Sequence, residues 1–178
     1  SSKIIVMSKR AVEFLTRIYD IPDTKIQLIE HGVPDSEIPQ ENPVKNSAAF
    51  KDRRVLLTFG LISRNKGLET VIKALPAIVK RNPDVNYVVL GNTHPGGRKS
   101  SGEEYRDYLK DLAAKLNVSG NLTFINKFVS EDELMNYLGA AEIYVTPYHN
   151  EAQITSGTLS YAVGAGAAVV STPYWHAT

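Results

Sequence analysis

The stretch Val55-Leu56-Leu57-Thr58-Phe59-Gly60-Leu61-Ile62-Ser63-Arg64-Asn65-Lys66-Gly67, followed by Leu68, Val71, Ile72, Leu75, Ile78 and Val79 at helical spacing, decides the fold. An apolar run stops at a glycine, a polar loop carries cations, and an amphipathic helix begins. This is the strand–loop–helix unit of a parallel sheet. Pro76 inside the helical stripe predicts a bend, because proline removes a backbone donor. The order then recurs downstream. Tyr87-Val88-Val89-Leu90 precedes a stripe of Tyr105, Leu109, Leu112 and Leu116. Leu122-Thr123-Phe124-Ile125 precedes a helix whose start is marked by Ser130 and Glu133, the spacing of a capping box. Ile143-Tyr144-Val145-Thr146 leads to the small-residue helix around Ala162-Val163-Gly164-Ala165-Gly166, and Ala168-Val169-Val170-Ser171 closes the series. The alternation predicts an α/β chain with a Rossmann-like, doubly wound parallel sheet whose strands are buried on both faces.

Upstream lies a smaller unit. It comprises a strand at Ile4-Ile5-Val6-Met7, a helix with Val12, Leu15, Ile18 and Tyr19, and a strand at Lys25-Ile26-Gln27-Leu28-Ile29 that ends in His31-Gly32-Val33-Pro34-Asp35. Residues 36–51 are polar, contain two prolines and lack periodicity, which predicts a linker. The expected organisation is therefore residues 1–35, a linker at 36–51, and a main domain at 52–178.

Composition restricts the function classes. The 178 residues are 43% hydrophobic and 22% charged, enough for one ordinary core. A formal net charge of +1 provides no bulk field for nucleic acid, so an anion would have to be held locally. The absence of cysteine excludes disulfides and thiolate metal ligands. No apolar run approaches the roughly 20 residues of a membrane span, and Ser1-Ser2-Lys3-Ile4-Ile5-Val6 lacks a secretory layout. A soluble chain is expected. A start without Met and an end at Thr178, just past an apolar run, suggest that both ends are cuts.

Ligands of a doubly wound sheet collect beyond the carboxyl ends of its strands, where helix N-termini offer backbone N–H groups. The loop from Gly60 to Gly67 could present Arg64 and Lys66 to a phosphate there, or be a solvated loop with surface cations. The segment Gln153-Ile154-Thr155-Ser156-Gly157-Thr158-Leu159-Ser160-Tyr161 offers hydroxyls and a glycine at a helix start; it fits an oxyanion site and also an ordinary capped helix. Gly91-Asn92-Thr93-His94-Pro95-Gly96-Gly97 reads as a surface excursion or a substrate-touching lid. Asn126, Lys127 and Phe128 could lie beside a base, or Phe128 could simply pack. His31, His94, His149 and His176 fall on separate loops without zinc-helix spacing, so no metal site is expected. No Gly-x-Ser-x-Gly elbow appears either.

With these loops placed, the whole chain resembles glycosyltransferase family 4, a group of two-domain enzymes of the GT-B fold. Ile4 to Ser8 looks like the serine-ended strand near the close of that family's acceptor domain, and Glu30-His31-Gly32-Val33-Pro34-Asp35 like its turn before the hinge. Gly60 to Gly67 is similar to its glycine-arginine…lysine-glycine loop, and the stretch from Ala162 to Thr172 to the end of its signature. The resemblance implies the C-terminal, nucleotide-sugar-binding half of such an enzyme.

The implied roles follow residue by residue. Gly60 and Lys66, with Ser156, Gly157 and Thr158, would hold the donor diphosphate; Arg64 matches no family position, and its reaching the same phosphates from farther along the loop is a separate expectation. Gln153, Tyr161, Asn126, Lys127 and Phe128 would neighbour sugar and nucleoside. The chain also departs from the pattern. Leu61 replaces the arginine that follows the first glycine, and Gln153 and Tyr161 stand where the family has two glutamates, so no residue is assigned as catalytic. The implied partners are a nucleotide sugar and a glycan or lipid-linked acceptor, with retention at the anomeric carbon and no cofactor or metal. The implied location is cytoplasmic, with any contact to the inner membrane face made through a first domain. That domain would also carry the family's catalytic histidine, so the fragment alone is expected to be inactive. Two alternatives stay open: a silent nucleotide-sugar-binding subunit and a sugar-nucleotide epimerase, which shares the two-domain plan.

Overall fold

The computed structural model describes residues 2–33, 35, 41–92 and 102–178. The N-terminal unit pairs β1 (Ile4–Val6) with β2 (Ile26–Leu28) in parallel, joined through α1 (Lys9–Tyr19). Ser8 caps α1 by accepting from the Ala11 N–H at 3.1 Å. No residue of α1 is buried, and Ile18 and Tyr19 of the predicted stripe are exposed.

The main sheet contains β3 (Arg54–Phe59), β4 (Val85–Leu90), β5 (Leu122–Ile125), β6 (Ile143–Thr146) and β7 (Val169–Ser171). Its order is β5-β4-β3-β6-β7, and every pair is parallel. The helices are α2 (Leu68–Arg81), α3 (Gly102–Lys115), α4 (Glu131–Ala140) and α5 (Gly157–Gly164). The chain enters this sheet at its middle strand, β3, winds outward to β5, then crosses back to β6 beside β3. Strand order therefore reverses between β3 and β6, where such folds open a crevice.

Period-two alternation sorts the two layers. Val55, Leu57 and Phe59 of β3 face a core shared with Met135, Leu138 and Ala162 from α4 and α5. Leu56 turns to the opposite core, built from Leu68, Ile72 and Leu75 of α2 with Tyr105 and Leu109 of α3. Thus α2 and α3 cover one face while α4 and α5 cover the other. Helix α2 runs unbroken through Pro76. The predicted capping box at Ser130 and Glu133 is present in both directions and starts α4.

The strands differ from the expectation of burial on both faces. Central β4 is buried throughout, but β5 is half-buried and β7 exposes Val170 and Ser171. Both are edge strands with one hydrogen-bonded neighbour. On the α2 side, an apolar groove of about 430 Å³ runs along Leu56, Val71, Ile78, Ile143, Val145 and Val170.

The segment read as a linker also differs in its later part; residues 36–40 lie outside the described ones. Asn42 donates to the Asn136 carbonyl at 2.7 Å, and Asn86 donates to that of Ala49 at 2.8 Å. Phe50 is buried against Tyr137, with ring centroids 5.7 Å apart. Residues 41–51 are thereby packed onto α4 and the sheet.

Candidate functional site

The loops that leave β3 and β6 meet at the reversal of strand order. Gly60 follows β3 with φ 120°, and Gly91 follows β4 with φ 138°; a Cβ on Gly91 would lie 2.1 Å from the Gly60 carbonyl oxygen, so the two loop bases touch backbone to backbone. At the end of the first loop Gly67 has φ 62°, and a Cβ there would lie 2.1 Å from the Pro147 carbonyl oxygen. The His149 N–H donates to the Asn65 carbonyl at 3.2 Å, tying the loop after β6 to the loop after β3.

This contact brings Lys66 to the start of α5. Its Nζ donates to the Tyr148 hydroxyl at 2.6 Å, and that hydroxyl lies 2.7 Å from Thr158 Oγ1. Thr158 Oγ1 is 3.2 Å from Ser156 Oγ, which accepts from the Leu159 N–H at 3.3 Å and so caps the helix. Gly60 belongs to the same place: a Cβ there would sit 3.3 Å from the Thr158 methyl carbon. Gly60, Lys66, Ser156, Gly157 and Thr158, drawn from segments about a hundred residues apart in the sequence, therefore gather at one helix N-terminus.

Two histidines flank that terminus. The Ser156 N–H donates to His176 Nδ1 at 2.9 Å, so this donor at the helix start is already engaged. On the other side, His31 donates from Nδ1 to the Gly32 carbonyl at 2.7 Å, and its Nε2 would lie 2.7 Å from a Cβ placed on Gly157. Gly157 thus lets the turn of the N-terminal unit approach α5. Burial lowers the His176 proton affinity, and nearby His31 adds to this, so the imidazole is held below the ordinary histidine range.

Arg64 is placed elsewhere. Its guanidinium lies over the rings of Tyr105 and Tyr108 on α3, 5.2 and 5.8 Å from their centroids. Gln153 donates to the Thr155 carbonyl at 2.5 Å and accepts through its own carbonyl from the His176 N–H at 3.1 Å, so it holds the loop together. Tyr161 donates to Glu131 at 3.2 Å on the first turn of α4 and meets the edge of the His31 ring. A carboxylate is thus supplied next to Tyr161 by another helix.

Beyond β3, β4 and β5 a second feature opens beside Gly60 and Thr158. A pocket of about 210 Å³ is lined by Phe59, Leu61, Leu90, Asn92, Lys127 and Phe128, among others. Phe128 is 83% exposed, an aromatic face left to solvent at the pocket rim. Lys127 does not point freely into it, since its Nζ is paired with Glu133 at 2.7 Å. Of the loop from Gly91 to Gly97, residues 93–97 lie outside the described ones, and His94 with them.

Sequence reasoning had no means of finding Tyr148, His31 and His176 here. Each is an isolated polar residue on a loop, and only the crossing of β6 beside β3 brings Tyr148 under Lys66.

Fold and site together define a class of α/β domain: a doubly wound parallel sheet with a lysine, a helix N-terminus and an aromatic-rimmed pocket at its switch point. The family described as Glycosyl transferases group 1 matches residues 39–172, and the chain belongs to it. An uncharacterized glycosyltransferase of Methanocaldococcus jannaschii is 28% identical over 154 residues, covering 83% of this chain and 36% of that protein. Lipopolysaccharide 1,2-N-acetylglucosaminetransferase of Salmonella typhimurium is 25% identical over 175 residues, covering 96% of this chain and 44% of that one. The chain thus spans less than half the length of these relatives. Among solved structures, HepE of Anabaena in complex with UDP and glucose superposes with a TM-score of 0.78 at 17% identity, over 99% of this chain and 46% of that one. The α/β Rossmann-like fold is accordingly that of GT-B glycosyltransferases. Among the described residues no helix is long and apolar enough to cross a membrane.

Proposed function

We propose that the intact protein is a retaining glycosyltransferase that moves a sugar from a nucleotide diphosphate sugar to a hydroxyl of a glycan or lipid-linked glycan. The observation that carries this reading is the meeting of Lys66 with the N-terminus of α5 beside the Phe128 pocket. In the reaction the bond between the anomeric carbon and the phosphate oxygen breaks, and a bond to the acceptor oxygen forms on the same face. The acceptor's proton goes to the departing phosphate. Charge develops on the leaving diphosphate as the sugar becomes oxocarbenium-like, so stabilising that diphosphate is the protein's main task. Lys66 and the N–H groups of Gly157 and Thr158 supply it, each charge-assisted bond being worth about 1.5–3 kcal/mol. This reading requires no cofactor. The nucleoside would lie in the 210 Å³ pocket, its base against Phe128.

Calorimetry with UDP, GDP and ADP tests the reading. Lys66→Ala is expected to weaken nucleoside diphosphate binding by about tenfold or more, and wild-type affinity in that variant excludes the site. A catalytically silent binding subunit is favoured by one observation, namely that Gln153 and Tyr161 place no carboxylate of their own at the helix start. Donor binding without transfer in the native protein, with transfer gained on Gln153→Glu and Tyr161→Glu, would establish that second reading. Product analysis with a labelled donor separates transfer from epimerisation.

A further inference from the structure

The Lys66 ammonium is held in place by the protein's own groups. It donates to the Tyr148 oxygen at 2.6 Å and stands 4.0 Å from the centroid of the same ring. An ammonium has only protons to give, so the phenol oxygen accepts there and its own proton is available to Thr158 Oγ1, 2.7 Å away. Thr158 lies 3.2 Å from Ser156 Oγ, the capping atom of α5. A directed chain of hydrogen bonds therefore joins the loop after β3 to the start of α5, with Tyr148 in its middle. The phenol itself is rigidly set. Tyr148 is buried, its ring stacks on Tyr174 with centroids 5.0 Å apart and planes at 20°, and Tyr174 is anchored to Thr146 at 2.7 Å.

We propose that Tyr148 is a positioning residue for the donor diphosphate, fixing the Lys66 ammonium beside the N-terminus of α5 so that a phosphoryl oxygen meets a cation already in place. The proposal rests on the donor reading above and adds a residue to it. Its physical basis is the conformational freedom of a lysine stem, which must be given up on binding and which prior fixation reduces. The titratable groups around the phenol are Lys66 from the loop after β3, Tyr174 from beyond β7, Tyr144 of β6 and Tyr87 of β4. Burial pushes the Tyr148 phenol up, but the Lys66 charge and the hydrogen bonds shared with Lys66, Thr158 and Ser156 outweigh it, so it lies below the usual tyrosine range. A diphosphate bound to Lys66 would oppose that, because an adjacent anion disfavours phenolate.

Tyr148→Phe keeps the ring and its stack and removes only the oxygen. The panel of UDP, GDP and ADP first identifies a nucleoside diphosphate that the wild-type protein binds. Failure of the wild type to bind any of them would overturn the donor reading itself, and this inference with it. With the nucleotide that binds, Tyr148→Phe is expected to lose about fivefold in affinity, while the matching nucleoside, followed by ligand-detected NMR, keeps its affinity within about twofold. Unchanged affinity for the diphosphate, or equal losses for both ligands, overturns the proposal, because a general structural role would weaken both. Should the variant not fold, tyrosinate absorbance of the wild type decides. Saturating nucleotide is expected to move one tyrosine's titration to higher pH, and an unmoved titration overturns the proposal.

Discussion

His31 and His176 stand far apart in the sequence and meet at one helix start, which makes the pH dependence of this site a matter of single atoms. Only an unprotonated Nδ1 accepts, so the 2.9 Å bond from the Ser156 N–H requires a neutral His176. Its folded-state proton affinity is lowered by burial and then by His31. The folded chain therefore takes up this proton less readily than the unfolded chain. The contribution to stability is present above the ordinary histidine value of 6.5 and is lost as the pH falls below it. The urea midpoint of the protein is accordingly expected to fall between about pH 7.5 and about pH 5.5. The fall should be smaller in His176→Asn, whose amide oxygen can accept without titrating; an equal fall in both proteins would remove His176 from the account. Lys66 was legible in the sequence because it precedes a glycine and a helical stripe. His176 was not, because nothing local marks an imidazole as the acceptor for a backbone group 20 residues earlier.

Among the elements, those with strong local signals formed where the sequence places them. Ser130 and Glu133 satisfy each other's backbone donors, and the apolar stripe from Leu68 to Leu75 faces the core. The elements that depart do so for want of neighbours or because of unexpected ones. Strand β7 has an apolar run like those of the central strands but lies at the sheet edge, so Val170 stays exposed. Residues 41–51 lack periodicity, yet Phe50 enters the core beside Tyr137 and Val55. One aromatic in an aperiodic polar stretch gives no pattern to detect. If the segment is integral to the main domain, Phe50→Ala should cost about 3–5 kcal/mol in urea unfolding, the range for truncating a buried aromatic. A cost below about 1 kcal/mol would mean that the segment lies on the domain without supporting it.

Across the molecule, the N-terminal unit touches the main sheet's carboxyl end through few contacts. Phe14 of α1 meets Trp175 with ring centroids 5.5 Å apart, and the Arg10 guanidinium lies 4.7 Å from the same ring. His31 and Val33 approach Gly157 and Gly164. Because α1 buries none of its own residues, this attachment should contribute little to the stability of the main domain. Phe14→Ala is therefore expected to shift the emission of Trp175, the single tryptophan of the chain, toward the red while changing the unfolding free energy by less than about 0.5 kcal/mol. A cooperative loss of both would show one unfolding unit instead.

The sequence by itself determined the alternation of strand and helix, the parallel doubly wound class, and the two loops with their glycines, Lys66 and hydroxyls, because those properties are written in periodicity and in turn chemistry over a dozen residues at a time. Only the tertiary structure decided that the loop after β6 lies under the loop after β3. That crossing put Tyr148 between Lys66 and Thr158, turned Arg64 toward α3, and brought His31 and His176 to one end of α5. The physical reason is that strand order is set by the mutual burial of two layers of helices on one sheet, a global condition that no local pattern contains.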